Sequence, residues 1–322
     1  MKSSASPVDA LPVGLATSDA ARAMRSPMCE AFGWIALALA HRQRGSVDDV
    51  ETTLTSLRAL AARSGSAMVD FHGHDLDAWV ARRRDDAFGE SAALAEALRL
   101  LARHDMLYPA LGTDALLAET AAAALAHGVE AAFVQRWIQR RGLKAPADGL
   151  APDWPLALRL RVLGGFEVAI DGQPLSFEGK VQKRPLELLQ ALAVHGPAPV
   201  PVATLMDELW PELDGDAARK AFDAALLRLR RLLGTSATAL RLEAGAVHLD
   251  ATVMGCDLWW LQRLSALPPA VLQGRPTLEA WARGHARLHL LPLQQAGWAA
   301  VPRQRHARRM QQRFGVRNDA DA

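Results

Sequence analysis

DAARKAFDAALLRLRRLLG, residues 216–234, is the stretch on which the reading of this chain turns. At 100° per residue, Ala218, Phe222, Ala225, Leu226, Leu229, Leu232 and Leu233 fall on one side of a helix and form a continuous apolar stripe. Lys220, Asp223, Ala224, Leu227 and Arg231 fall on the other, with Arg219, Arg228 and Arg230 on the flanks. Five basic residues against two acidic ones give the outer side a positive balance. The pattern predicts a half-buried helix over 216–233, capped by Asp216 and stopped by Gly234. A helix with a basic outer face suits a DNA major groove. A solvated surface helix carries the same pattern, so the neighbours decide.

Two shorter helices precede it. One starts near Arg184, has Pro185 in its first turn and ends at Gly196; the next runs from about Val202 to Trp210 and is stopped by Pro211. Upstream, LALRLRVL (156–163) alternates, with Leu158, Leu160 and Val162 facing one way and Arg159 and Arg161 the other. FEVAI repeats the alternation, Asp171-Gly172 is a two-residue hairpin signal, and a further strand is expected around Leu175 and Phe177. After the basic helix come LRLEA, Gly245 and AVHLD, a second hairpin. The order is antiparallel sheet, three helices, hairpin.

That order, with LRLRVLGGFEVAIDGQPL (158–175), KRPLELLQALAVHG (183–196), LMDELWPELDGDAARKAFDAALLRLRRLLG (205–234) and VHLD (247–250), resembles the OmpR/PhoB-type winged helix. The likeness is to the version found in SARP-type activators and in large MalT-like regulators that carry an ATPase ahead of it. It covers about a third of the chain. The resemblance implies that 216–233 is the recognition helix, that 240–249 is the wing, and that Pro211 to Gly215 is the loop that in relatives touches RNA polymerase. The DNA contacts expected from it are Arg219, Lys220, Ala224, Leu227, Arg228 and Arg231 on that helix, with Lys183, Arg184 and Arg241 beside it.

Two features depart from a dedicated DNA binder. Ala224 and Leu227, in the middle of the groove-facing stripe, offer no hydrogen bond, although either suits contact with a thymine methyl. The wing turn, Glu243 to Ala246, has no basic residue, and residues 156–250 hold eleven Lys/Arg against twelve Asp/Glu. Binding by one copy is therefore expected to be weak, with function depending on self-association on tandem sites.

The 322 residues allow about two domains, and a net charge of +2 singles out no partner. Cys29 and Cys256 make no disulfide framework, which fits a reduced, cytoplasmic setting. Residues 1–27 are expected to be disordered and lack a signal-peptide core. The longest apolar run, Trp34 to Ala40, is too short for a membrane span. Residues 28–143 read as six helices in three pairs: 28–44 and 47–63, 66–84 and 90–105, 113–127 and 129–141. Gly45, Gly65, Gly89, Gly112, Gly128 and Gly142 punctuate them. The recurrence of about forty residues is that of a tetratricopeptide-like α-solenoid, whose concave face takes a protein partner or a ligand; a plain helical spacer fits equally. Residues 128–143 resemble the segment that precedes the winged helix in the MalT-like regulators, and 144–157, with Pro146, Pro152 and Pro155, form the linker.

Beyond Asp250, DLWWLQRL begins another helix, and 289–314 resemble the start of the helical domain that follows the winged helix in these regulators, here truncated. This tail, 256–322, is basic: from Trp259 onward it holds ten Lys/Arg against three Asp/Glu, a source of phosphate contacts or the charged face of a solvated helix.

No GxxxxGK[ST] is present, so the ATPase of the larger relatives is expected to be missing, and Gly164-Gly165 opens a strand rather than a helix. His72, His74 and Asp75 do not share a helix face in a ligand set; His285 and His289 are one turn apart but lack the Glu of HExxH and read as surface residues. No nucleophile–base pairing is evident, and Cys29 reads as a small apolar residue. The expectation is a chain that is mainly α with a small α+β domain: solenoid helices, a winged helix-turn-helix, then a short helical tail. Its expected role is a DNA-binding transcriptional regulator, not an enzyme, with no cofactor, metal or membrane partner. The alternative is a helical adaptor whose winged helix no longer binds DNA.

Overall fold

The computed structural model describes residues 26–146, 151–175 and 183–316. Most of the segment expected to be disordered (1–27), the middle of the expected linker, Phe177 and the last six residues of the tail lie outside them. The protein is mainly helical with a small sheet component. It divides into two compact units, Met1–Gly149 with Gln273–Pro276, and Leu150–Leu272 with Thr277–Ala322.

The first unit holds α1 (Pro27–Arg44), α2 (Val47–Ser64), α3 (Ala67–Arg83), α4 (Ala87–Arg103), α5 (Asp114–His127) and α6 (Ala131–Arg141). Local chemistry sets their ends. Ser26, Asp86 and Thr113 accept from the amides of Cys29, Gly89 and Leu116 as side-chain N-caps, and Gly45, Gly65, Gly128 and Gly142 close four helices in the left-handed conformation. Gly89 does not break the chain as expected but lies inside α4. A Cβ there would come 2.3 Å from the capping Asp86 Oδ2, so glycine leaves room for the cap. Ile35, Leu54, Leu57 and Leu76 are fully buried in a core that also takes in Leu116 of α5.

Charge is buried in this unit too. The Arg42 guanidinium donates to Asp75 at 2.7 Å and to Glu119 at 3.0 Å, and the Thr120 hydroxyl donates to the other Asp75 oxygen at 2.5 Å. One cluster thus fastens α1, α3 and α5. Glu90 of α4, also buried, accepts from Arg82 at 2.6 Å and lies 3.0 Å from His127 Nε2. Both clusters satisfy the rule that interior charge must be paired.

The second unit contains two small sheets. In the first, β1 (Leu158–Arg161) pairs antiparallel with β2 (Glu167–Ile170), which pairs with β3 (Gln173–Pro174). Of the third strand expected around Leu175 and Phe177, Phe177 lies outside the described residues, and the strand that is described ends at Pro174, before Leu175. Five elements follow in order: α7 (Lys183–His195), β4 (Val200–Pro201), α8 (Val202–Leu209), α9 (Gly215–Leu233), and, after a 3-10 turn, β5 (Leu240–Glu243). β5 turns back into β6 (Ala246–Leu249), and β4 pairs with β6 to complete a second, three-stranded sheet. The intervening Ala244 and Gly245 both have positive φ, 49° and 76°, as a two-residue primed hairpin turn requires. The chain then forms β7 (Met254–Cys256), parallel to β1, before α10 (Asp257–Ala266), α11 (Pro269–Gln273), α12 (Pro276–Ala286) and α13 (Ala300–Phe314).

α10 is anchored on both sides. Asp257 accepts the amides of Val162 at 2.9 Å, Leu163 at 3.0 Å and Leu258 at 2.8 Å, and Trp259 Nε1 donates to Ala193 O of α7 at 2.6 Å. The segment past β1 is held from a second direction, because Leu291 N donates to Val162 O and Gly164 N to His289 O. The basic C-terminal helix is fastened by two of its own cations: Arg303 donates to the carbonyls of Leu290, Leu291 and Gln294, and Arg313 to that of Leu267.

Phe222 is fully buried, edge-on to Trp210 at 6.5 Å, and Phe222→Ala should lower the unfolding free energy by about 3–5 kcal/mol in denaturant titration. His306 in α13 is buried, and burial holds its imidazole down to about 4 from 6.5. Its neutral form therefore supports the fold above pH 6.5, and that support is lost as pH falls toward 4, by about 3 kcal/mol at most. A pH series of melts should show this acid-side loss in the parent, and it should shrink in His306→Gln.

Candidate nucleic-acid interface

α9 is a 19-residue helix, about 28 Å long, and its ends are chemically marked. Its N-cap is Asp214, whose Oδ1 accepts from Ala217 N at 2.8 Å, rather than the expected Asp216; Gly234 follows its last turn. Ala218, Phe222, Ala225, Leu226, Leu229 and Leu233 are buried, and α7 and α8 pack on this side. The opposite side exposes Lys220, Asp223, Ala224, Leu227, Arg228 and Arg231, with Arg219 on its edge and Arg230 half-buried. Leu227 is 51% exposed in the middle of this face.

The cations on this face are not equivalent. Arg219 is held by Asp223 one turn on, at 3.0 Å, which offsets its charge. Lys220, Arg228 and Arg231 have no acidic oxygen within 4 Å among the described residues, so a ligand phosphate would meet them undivided. Of the flanking residues assigned from the sequence, Lys183 is exposed at the start of α7. Arg184 is engaged internally: it donates to Leu209 O at 2.8 Å and to Glu187 at 3.0 Å, and lies over the Trp210 ring at 5.9 Å. Arg241 on β5 is likewise committed, to Asp250 at 2.8 Å, and the neighbouring turn carries Glu243 rather than a cation. Uncommitted positive charge thus stands on α9 and at Lys183, and equally on α13, where Arg305, Arg308 and Arg309 are exposed.

The other residues singled out in the sequence fall elsewhere. His72 is buried, its Nε2 donating to Ala110 O at 2.7 Å, and burial lowers its pKa; Asp75 belongs to the Arg42 cluster. No group of three or more metal-ligating side chains forms among the described residues. His285, read as a surface residue, is instead half-buried and stacked on Trp281 at 3.8 Å, while His289 is exposed. Gly164, at φ 73°, packs under Leu288 rather than cradling an anion. Cys256 is buried, and desolvation raises its thiol pKa well above the usual value; Cys29 is half-buried. Sequence reasoning missed Asp257, which had the appearance of an ordinary helix start.

No family model matches the chain, and no curated protein matches it. No described helix is long and apolar enough to cross a membrane.

Because Arg184 joins the end of α8 to the start of α7, Arg184→Ala should destabilise the protein by about 1–3 kcal/mol in a thermal melt, whereas Lys183→Ala should leave the midpoint unchanged.

Proposed function

We propose that the protein is a DNA-binding transcriptional regulator whose second unit is an OmpR/PhoB-type winged helix, of the kind found in SARP-type and MalT-like activators. In this reading α9 is the recognition helix, the β5–β6 hairpin is the wing, and the loop expected over Pro211 to Gly215, whose last residue opens α9, is where the polymerase would touch. The observation that carries it is the two-sided character of α9: one face is sealed in the core, and the other presents Lys220, Arg228 and Arg231 without acidic partners among the described residues. The element order supports it as well, since a β-meander, three helices and a hairpin succeed one another in the order that the resemblance requires. In the same reading α1–α6 are tetratricopeptide-like repeats that receive a protein partner, and α12–α13 belong to the helical domain that follows the winged helix.

A second reading, a helical adaptor, is favoured by one observation: Leu227 and Ala224 place an apolar strip in the middle of the exposed face of α9. A protein groove would cover that strip, whereas duplex DNA would use it only against a thymine methyl.

The test is a titration of the full chain with random duplex DNA at several salt concentrations. The expected result is binding whose logarithm falls linearly with the logarithm of salt. Lys220→Ala and Arg228→Ala should each reduce that slope by about one unit if they hold phosphates, or cost about 1–3 kcal/mol on the preferred site if they read bases. Absence of any salt-dependent shift, or unchanged binding in both variants, overturns the proposal in favour of the adaptor.

A further inference from the structure

The outer face of the first sheet carries a cavity of about 220 Å³ that lies entirely within the second unit and away from α9. Its floor is explained by strand register. Arg159 of β1 stands between Ala169 of β2 and Gly255 of β7, its partners on either side. Both neighbours are too small to fill the space beside the guanidinium. Gly255 is held to that size, because a Cβ there would come 2.9 Å from Leu156 and 3.2 Å from Trp260 Nε1.

The walls are aromatic. Trp260 of α10 and Trp281 of α12 both line the cavity, and His285, one turn after Trp281, stacks on its indole at 3.8 Å and 17°. His285 is locked there, since its Nδ1 donates to Trp281 O at 2.8 Å. A flat, rigid aromatic surface beside an arginine suits a planar anion.

The polar groups differ in what they leave unused. Arg161 and Glu167, opposite one another in register, form an ion pair at 2.5 Å and neutralise each other. Asp257 has its carboxylate filled by backbone amides. Arg159 donates to Trp154 O, and Asp153, which is exposed and also lines the cavity, acts on it through space. Burial holds the Arg159 guanidinium below the usual arginine range despite Asp153, so an anion placed against it would relieve a desolvated charge.

We propose that this cavity is a binding site for a small aromatic carboxylate, whose carboxylate meets Arg159 while its ring lies against the Trp260 and Trp281 indoles. The volume is below the ~300–1,000 Å³ of pockets for drug-sized ligands, which selects a molecule of one ring. The site is independent of the DNA-binding reading and is tested without nucleic acid.

The experiment is isothermal titration of the full chain with benzoate, 4-hydroxybenzoate and the neutral benzyl alcohol, with tryptophan fluorescence read in parallel. The expected result is saturable binding of the carboxylates at one site per chain, about tenfold or more tighter than benzyl alcohol. Arg159→Gln should abolish that preference while leaving the weak binding of benzyl alcohol, and Trp281→Leu should weaken all three probes. Each variant is first checked for an unchanged circular dichroism spectrum. The comparison of charged with neutral probes on the parent needs no variant to fold. No saturable binding of either carboxylate up to about 10 mM overturns the proposal, as does equal binding of benzoate and benzyl alcohol. Unaltered benzoate affinity in a folded Arg159→Gln variant overturns it too.

Discussion

The second unit depends on one half-buried carboxylate. Asp257, at the start of α10, receives the amides of Val162 and Leu163, just past the end of β1. Without it, two backbone donors would be stranded where the strand leaves its ladder, at the cost that attends any unpaired buried polar group. Burial pushes the Asp257 carboxyl above the usual carboxylate range, and the three amides that point at it work against that rise. The same contact decides where larger pieces go. It brings β7 beside β1 in parallel register, and it directs α10 so that Trp259 reaches the carbonyl of Ala193 on α7. Sheet and helices are therefore tied through one helix, and the strand face that carries Arg159 acquires an aromatic wall.

The first unit solves a related problem with whole charges. Arg42, Asp75 and Glu119 come from α1, α3 and α5, and each helix supplies what another lacks. Arg42 and Asp75 are the buried pair and Glu119 caps it from an exposed position; a buried pair adds little to stability relative to apolar packing, but removal of either buried member leaves the other unpaired at a cost of about 3–5 kcal/mol. Such a cluster is selective: a slide of α3 by one turn would set Phe71 or Trp79, rather than Asp75, against Arg42. The surface pairs, such as Arg219 with Asp223, carry no comparable constraint.

Helices were legible in the sequence where periodicity and caps agreed. The inner face of α9 follows from a seven-residue apolar stripe, and only Leu232 of that stripe stays half-buried. The helix ends in the first unit follow from glycines and capping side chains, with Gly89 the exception because a glycine that makes room for a cap looks like one that ends a helix. β7 was missed because Met-Gly-Cys is too short to alternate, and β4 because a Val-Pro pair is two residues long. On the outer face of α9, exposure of Lys220 and Arg228 could be read from angle alone, whereas the engagement of Arg184 and Arg241 depends on acids and carbonyls brought close only by folding. The Arg159 cavity has the same origin: its alternation with Leu158 and Leu160 was visible, but its aromatic walls lie about a hundred residues away.

The parallel pairing of β1 with β7 also has a kinetic meaning. Val162 and Asp257 are 95 residues apart, and closure of so long a loop is opposed by chain entropy until α7–α9 and the hairpin have folded inside it. During synthesis β1 and β2 exist well before β7 leaves the ribosome, so the β1 edge stands open to any other nascent chain. Arg159 and Arg161, alternating along that edge, are the residue type that keeps an unfinished strand from pairing with its like.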